Sequence, residues 1–156
     1  MADENIKSPS EYATIPAGTR VLYGATGGTV AAAQLLQSAM GIGATGKKGT
    51  FMKVTRLIDT EAKYMSDMGE GEDKTLVFID DPTDTAQEAL LASADAKETK
   101  VFYMQFPNGR QAEIELVLNG WSLQAVDSPD GKVLQVEVYG KQNRIKWTTN
   151  PANAGA

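Results

Sequence analysis

The sequence contains no cysteine and no histidine. That excludes disulfides, thiolate nucleophiles, Cys/His zinc sites and every triad that uses imidazole as its base. Only carboxylate or lysine chemistry is left to an enzyme, so the composition leans away from catalysis. No stretch approaches the roughly 20 apolar residues of a membrane helix. The polar opening Met1-Ala2-Asp3-Glu4-Asn5 has no apolar run behind it to read as a signal peptide, and the expectation is a protein made and kept in a cytoplasm. Basic charge is scarce as well. Fifteen Lys and Arg against twenty Asp and Glu leave a formal −5. Lys47-Lys48 and Lys141 to Lys146 are too short and diluted to form the basic patch that gripping nucleic acid requires.

What is present suits one domain: 156 residues, 42% of them hydrophobic, can bury a proper core. Residues 1–18, with Pro9, Pro16 and Gly18, read as a flexible N-terminal arm. Residues 19–148 read as a β domain with long loops at 24–49 and 58–73, and residues 149–156 as a C-terminal tail. The best-defined feature is a hairpin. Val101 to Phe106 alternates and is rich in aromatics, while Ala112, Ile114, Leu116 and Leu118 share one face opposite Gln111, Glu113 and Glu115. Phe106-Pro107-Asn108-Gly109 joins them, as a type I turn with a glycine bulge or as an Asn-Gly type I′ turn. A meander follows through Gly120-Trp121-Ser122, a second turn at Asp127 to Gly131 and a strand from Lys132 to Tyr139.

Upstream, Thr19 to Ala25 and Phe51 to Leu57 read as strands, and Val30 to Leu36 as either a short helix or an extended hairpin arm. Glu61 to Asp73 reads as an acidic, solvated loop. Lys74 to Asp80, nearly continuous in apolar character, reads as a central strand. Thr85 with Glu88, or Asp84 with Gln87, opens a helix whose Ala86, Leu90, Leu91 and Ala94 share a face. This order predicts a mainly β fold, an antiparallel β-sandwich or partly closed barrel with one flanking α-helix, rather than βαβ units.

Two glycine-rich stretches invite a nucleotide reading. Gly24 to Gly28 before Val30 to Leu36 looks like a dinucleotide turn, but no repeated βαβ units and no acidic strand end follow. Gly41 to Lys48 nears a P-loop, with Lys48 where a hydroxyl must reach Mg²⁺. Glu113 and Glu115 share a strand face, which reads more simply as a solvent-facing edge than as an acid/base pair. Trp121 and Trp147 read as core or interface anchors.

In order and spacing, four features together resemble the major tail tube proteins of long non-contractile-tailed, lambda-like bacteriophages. They are the helix TDTAQEALLAS (Thr83 to Ser93), the strand closing on Phe106-Pro107-Asn108-Gly109, Gly120-Trp121-Ser122, and the valine-rich strand after it. The likeness spans roughly residues 74 to 140, includes no catalytic motif, and gives Gly24 to Gly49 no counterpart.

The resemblance implies a virion structural protein of the tail, without enzymatic activity or cofactor, that resides in the host cytoplasm during assembly. It implies hexameric rings stacking into a tube, through which DNA passes without specific binding. The implied partners are further copies of the chain and the tape measure, tail tip and terminator proteins. A long loop between early strands reaches neighbouring subunits in that family; Ile58 to Asp73 corresponds, with Glu61, Asp67, Glu70, Glu72 and Asp73 as candidate inter-ring residues, and Gly24 to Gly49 is a second candidate. Six copies at −5 each carry −30, and an acidic lumen would let DNA slide. Glu113, Glu115, Gln135 and Glu137 are the candidate lumen-facing residues, with Ile114, Leu116, Leu118, Leu134, Val136 and Val138 facing the core. Equally, these acids would simply keep an outer surface soluble. Another ring-forming tail or secretion-tube component is the alternative of the same class, and a nucleotide-binding reductase on the Gly24 to Gly28 turn that of a different one.

Overall fold

A computed structural model of the chain describes residues 6–69, 71, 73–126 and 133–149. The expected turn at Asp127 to Gly131, and Glu70 and Glu72, lie outside the described residues. One antiparallel sheet organises the fold, built from β1 (Arg20–Ala25), β2 (Gln34–Leu35), β3 (Ala39–Gly41), β6 (Asp73–Ile79), β7 (Thr99–Gln105), β8 (Arg110–Leu123) and β9 (Gln135–Thr149). Its order is β2-β1-β7-β8-β9-β6-β3. Both terminal strands come from one segment, Gln34 to Gly41. At one end Leu36 N–H donates to Val21 O (2.8 Å), and at the other Ile79 N–H donates to Ser38 O (2.9 Å). That segment curls the sheet into a partly closed barrel and covers edges that would otherwise offer unpaired main chain.

Strand alternation decides what fills the curl. Val21, Tyr23, Leu76, Phe78, Phe102, Met104, Ala112, Ile114, Leu116, Leu118, Val136 and Val138 point inward and are buried. The helix α2 (Thr85–Asp95) lays Ala86, Leu90, Leu91 and Ala94 on them, the face read from its periodicity. Asp84 is its N-cap, its carboxylate accepting from Ala86 N–H at 3.1 Å. The helix ends in paired 6→1 and 5→2 bonds, Glu98 N–H to Ser93 O and Lys97 N–H to Ala94 O, with Lys97 at φ +57° where glycine is usual. Gln87, fully buried, donates to Ile79 O and Ser38 Oγ and accepts from Asp81 N–H, each at 2.8 Å.

Phe106 to Gly109 is the type I turn with a glycine bulge: Gly109 N–H donates to Phe106 O at 3.0 Å, and Gly109 has φ +91° while Asn108 stays at negative φ. Two register shifts bend the β8–β9 pair, one at Glu115/Leu116 and one at Leu118/Trp121, where Gly120 takes φ +119°.

Several expectations are corrected. β6 is not central but next to the short β3, and its burial alternates, because only its inner face meets the core. Val30 to Leu36 divides between the two readings: a 3-10 turn at Val30–Ala32 leads into β2, which pairs antiparallel with β1. Phe51 to Leu57 stays outside the main sheet; only Phe51–Lys53 (β4) is strand, paired with β5 (Tyr64–Ser66) inside the stretch read as loop. Asp73, also assigned to that loop, opens β6. Leu134 is exposed rather than in the core. β9 runs on through Lys141 to Lys146, a stretch read only as diluted basic residues. Residues 6–18 are exposed throughout, with one helical turn, α1 (Pro9–Tyr12).

Candidate functional site

Two surfaces stand out. The first is the arm formed by β4, β5 and their connection. Its strands pair Phe51 with Ser66, Met52 with Met65 and Lys53 with Tyr64, and Val54 N–H donates to Lys63 O at 2.9 Å. Arg56 and Asp59 brace the tip with a 3.0 Å ion pair, and the guanidinium and main-chain hydrogen bonds hold the Asp59 carboxyl below its ordinary pKa. Phe51, Met52, Val54, Leu57, Ile58, Tyr64, Met65 and Met68 are all exposed, Leu57 completely so at 106%. A lone two-stranded hairpin is marginal in water, and contiguous exposed apolar surface marks an interaction site. Of the acids placed here by sequence, Glu61 is exposed at the tip, and Asp67 Oδ1 accepts from Met68 N–H at the base. Asp73 pairs with Lys141 in the main sheet, so it lies apart from the arm. What the sequence reading missed is the apolar character of Phe51 to Met68, legible in the residues but set aside for the acids.

The second surface is the outer face of the sheet, which carries Glu113 and Glu115 at one end of β8 and Gln135 and Glu137 at the other, Glu137 standing opposite Ser122, seven residues along β8 from Glu115. The three glutamates are not free carboxylates. Arg144, across the ladder from Glu115, reaches Glu113 and Glu115 at 3.5 Å each. Glu137 accepts from Gln124 Nε2 and Tyr139 Oη at 2.8 Å, and Tyr139 Oη meets Ser122 Oγ at 2.7 Å. Alternation puts Asp73, Arg20, Lys141 and Lys146 on the same face, so four acids stand against four bases. Leu22, Val101 and Tyr103 are buried on this side under Ala33, and Tyr103 Oη donates to Gly28 O at 3.1 Å. Burial, and next the Glu113 carboxylate, push the Tyr103 hydroxyl above its ordinary pKa, with Arg144 opposing.

The glycine-rich stretches hold no nucleotide geometry. Gly24 ends in β1 and is followed by a three-residue 3-10 turn, too short to aim a helix N-terminus. Gly41 to Lys48 is followed by β4, not a helix, and two of its carbonyls accept from buried side chains. Trp121 and Trp147 are exposed rather than in the core: Trp121 Nε1 donates to Asp95 at 3.2 Å, while Trp147 lies 6.5 Å from Phe106 with Arg110 over its ring. Among the described residues no three acids cluster to hold a metal, and no helix is long and apolar enough to cross a membrane.

Comparison with known proteins agrees with this architecture. No curated protein sequence matches the chain. Solved structures share the fold at low identity. A chain of the anti-feeding prophage tube-terminating cap gives TM-score 0.67 at 10% identity, over 95% of this chain and 96% of that one. A chain from the tail of an empty gene transfer agent particle gives 0.66 at 12%, over 88% and 100%. The SPP1 tail tube gives 0.62 at 7%, over 85% and 77%. A family model described as the phage tail tube protein family matches residues 14–150. The chain belongs to the phage tail tube protein family, a family of structural proteins rather than enzymes.

Proposed function

We propose that six copies of this chain close into a ring, that rings stack into the tube of a virion tail, and that DNA passes through the lumen to the host. The observation that carries the reading is the arm. Eight large apolar side chains stand in water on a hairpin that the rest of the chain does not cover. Burying each is worth roughly 1.5–3 kcal/mol, and another copy is the partner always at hand. Charge favours the same contact. Residues 47–68 hold five Lys and Arg against three Asp and Glu, a formal +2, and the remaining ten against seventeen leave −7, so arm and body of different copies attract. Tape measure, tail tip and terminator proteins complete the tail as further partners, and assembly takes place in the host cytoplasm.

In this reading the outer sheet face with Glu113, Glu115, Gln135 and Glu137 lines the lumen. The charged strand residues of that wall are balanced in number, four acids to four bases, so DNA passes for want of any net attraction rather than by repulsion. Glu61 and Asp67 sit on the arm, at the contact between rings. Negative-stain electron microscopy of concentrated protein, with its mass in solution, tests the reading. Six-fold rings or hollow tubes are expected; a chain that stays monomeric at high concentration and when seeded with tail fragments overturns it.

A further inference from the structure

Lys74 stands where alternation along β6 calls for an apolar residue. It shares the inner face with Leu76 and Phe78, sits opposite Gly140 of β9, and is 5% exposed. A lysine in such a place is rare unless its ammonium is engaged. Two of its partners belong to the segment that leaves the barrel for the arm: Nζ donates to Ala44 O at 2.7 Å and to Thr45 Oγ1 at 2.8 Å. One residue on, Gly46 O accepts from Nε2 of Gln142, also 5% exposed, at 3.1 Å. Three consecutive residues are thus held by side chains from two adjacent strands. The returning chain is seated against the same place. Asp67 N–H donates to Thr50 O at 2.7 Å, a Cβ on Gly69 would meet Gly49 Cα at 3.5 Å, and Gly71 packs on the Gln142 carbonyl too closely for any side chain.

We infer that Lys74 and Gln142 are positioning residues for assembly: they clamp the root of the arm, so that it leaves the barrel in one direction and meets a neighbouring copy in one register. This rests on the tube reading above. A hairpin free to swing would lose orientational freedom at every docking event, and a fixed root removes that cost before assembly begins. The hydrogen bonds suit the task because two of the three, to Ala44 O and Gly46 O, hold the main chain itself.

The absence of cysteine permits a direct test. Spin labels on Ile58→Cys at the arm tip and Glu88→Cys on the exposed face of α2 report the arm's orientation in the unassembled chain. A narrow distance distribution is expected, becoming at least twofold broader with Lys74→Met, which keeps the apolar stem and removes the donors. Tube growth by unlabelled Lys74→Met should slow at least tenfold at an unchanged melting temperature. An unchanged distribution, or a broadened one with tubes growing at the normal rate, overturns the clamp. If Lys74→Met fails to fold, Gln142→Leu decides by the same two readings. If the unsubstituted chain forms no tubes, the tube reading falls, while the spin-label distances still decide whether the root is clamped.

Discussion

Gln87 Nε2 donates to Ser38 Oγ at 2.8 Å, and through that contact the helix is fastened to the segment that closes the barrel. The same amide serves Ile79 O and Asp81 N–H, so Gln87→Leu leaves several polar groups without partners at once. The expected loss is about 2–4 kcal/mol, read as a lower midpoint in urea unfolding with an unchanged slope. A loss within error would mean that water replaces the amide there.

The arm should behave oppositely. Leu57 and Ile58 touch mostly solvent, at 106% and 79% exposure, so Leu57→Asp with Ile58→Asp should leave the monomer's melting temperature within about 1 °C. Tube formation followed by light scattering should be lost. Normal tubes from this variant would place the subunit contact elsewhere.

Reversing the charges that the proposed function places in the lumen should separate delivery from assembly. Arg144 is about half exposed, so its pairs with Glu113 and Glu115 hold less than about 1 kcal/mol, and Glu113→Lys with Glu115→Lys should still fold and assemble. Virions carrying it should deliver DNA poorly, and raised salt should partly restore delivery because phosphate contacts are screened. Unchanged infectivity would show that this face does not meet DNA.

Lys97 takes φ +57° at the end of the helix, where a side chain costs roughly 1 kcal/mol that glycine avoids. Lys97→Gly should therefore raise the melting temperature by about 2–4 °C. Calorimetry showing no gain would mean that the lysine side chain offsets its backbone strain.

Alkaline pH should loosen the fold. Burial, with the Asp84 carboxylate second, raises the Tyr23 hydroxyl above its ordinary value of 10.0, and burial with Glu113 raises Tyr103 likewise. A folded pKa above the unfolded one contributes stability that is fully present below pH 10 and lost as pH rises through the folded values. Melting temperature should fall above pH 10, and Tyr23→Phe with Tyr103→Phe should flatten that limb. An equally steep fall in the double variant would assign it to other groups.

Local chemistry made much of this legible. The Phe106 to Gly109 hairpin, the inward faces of β8 and β9, and the apolar stripe of α2 follow from alternation, a glycine at positive φ and helical spacing. Elements defined by distant partners were not legible. Gln34–Leu35 and Ala39–Gly41 become strands only because Val21 on one side and Ile79 on the other await the main chain of that segment. Lys74 joins a core strand only because Ala44 and Thr45 come to meet it. Glu113 and Glu115 share a strand face as alternation requires, yet their pairing depends on Arg144, which an extra residue in β9 brings opposite Glu115.

The strand order also sets a timetable for synthesis. β1 is made early, but its main neighbour β7 follows about 80 residues later. At roughly 5–20 residues per second, Val21, Leu22 and Tyr23 wait several seconds on the ribosome with only the two-residue β2 to pair with. The apolar arm emerges within that interval. Nascent chains on neighbouring ribosomes of one message thus expose sticky segments together, and folding later hides Val21, Leu22 and Tyr23 while the arm stays exposed.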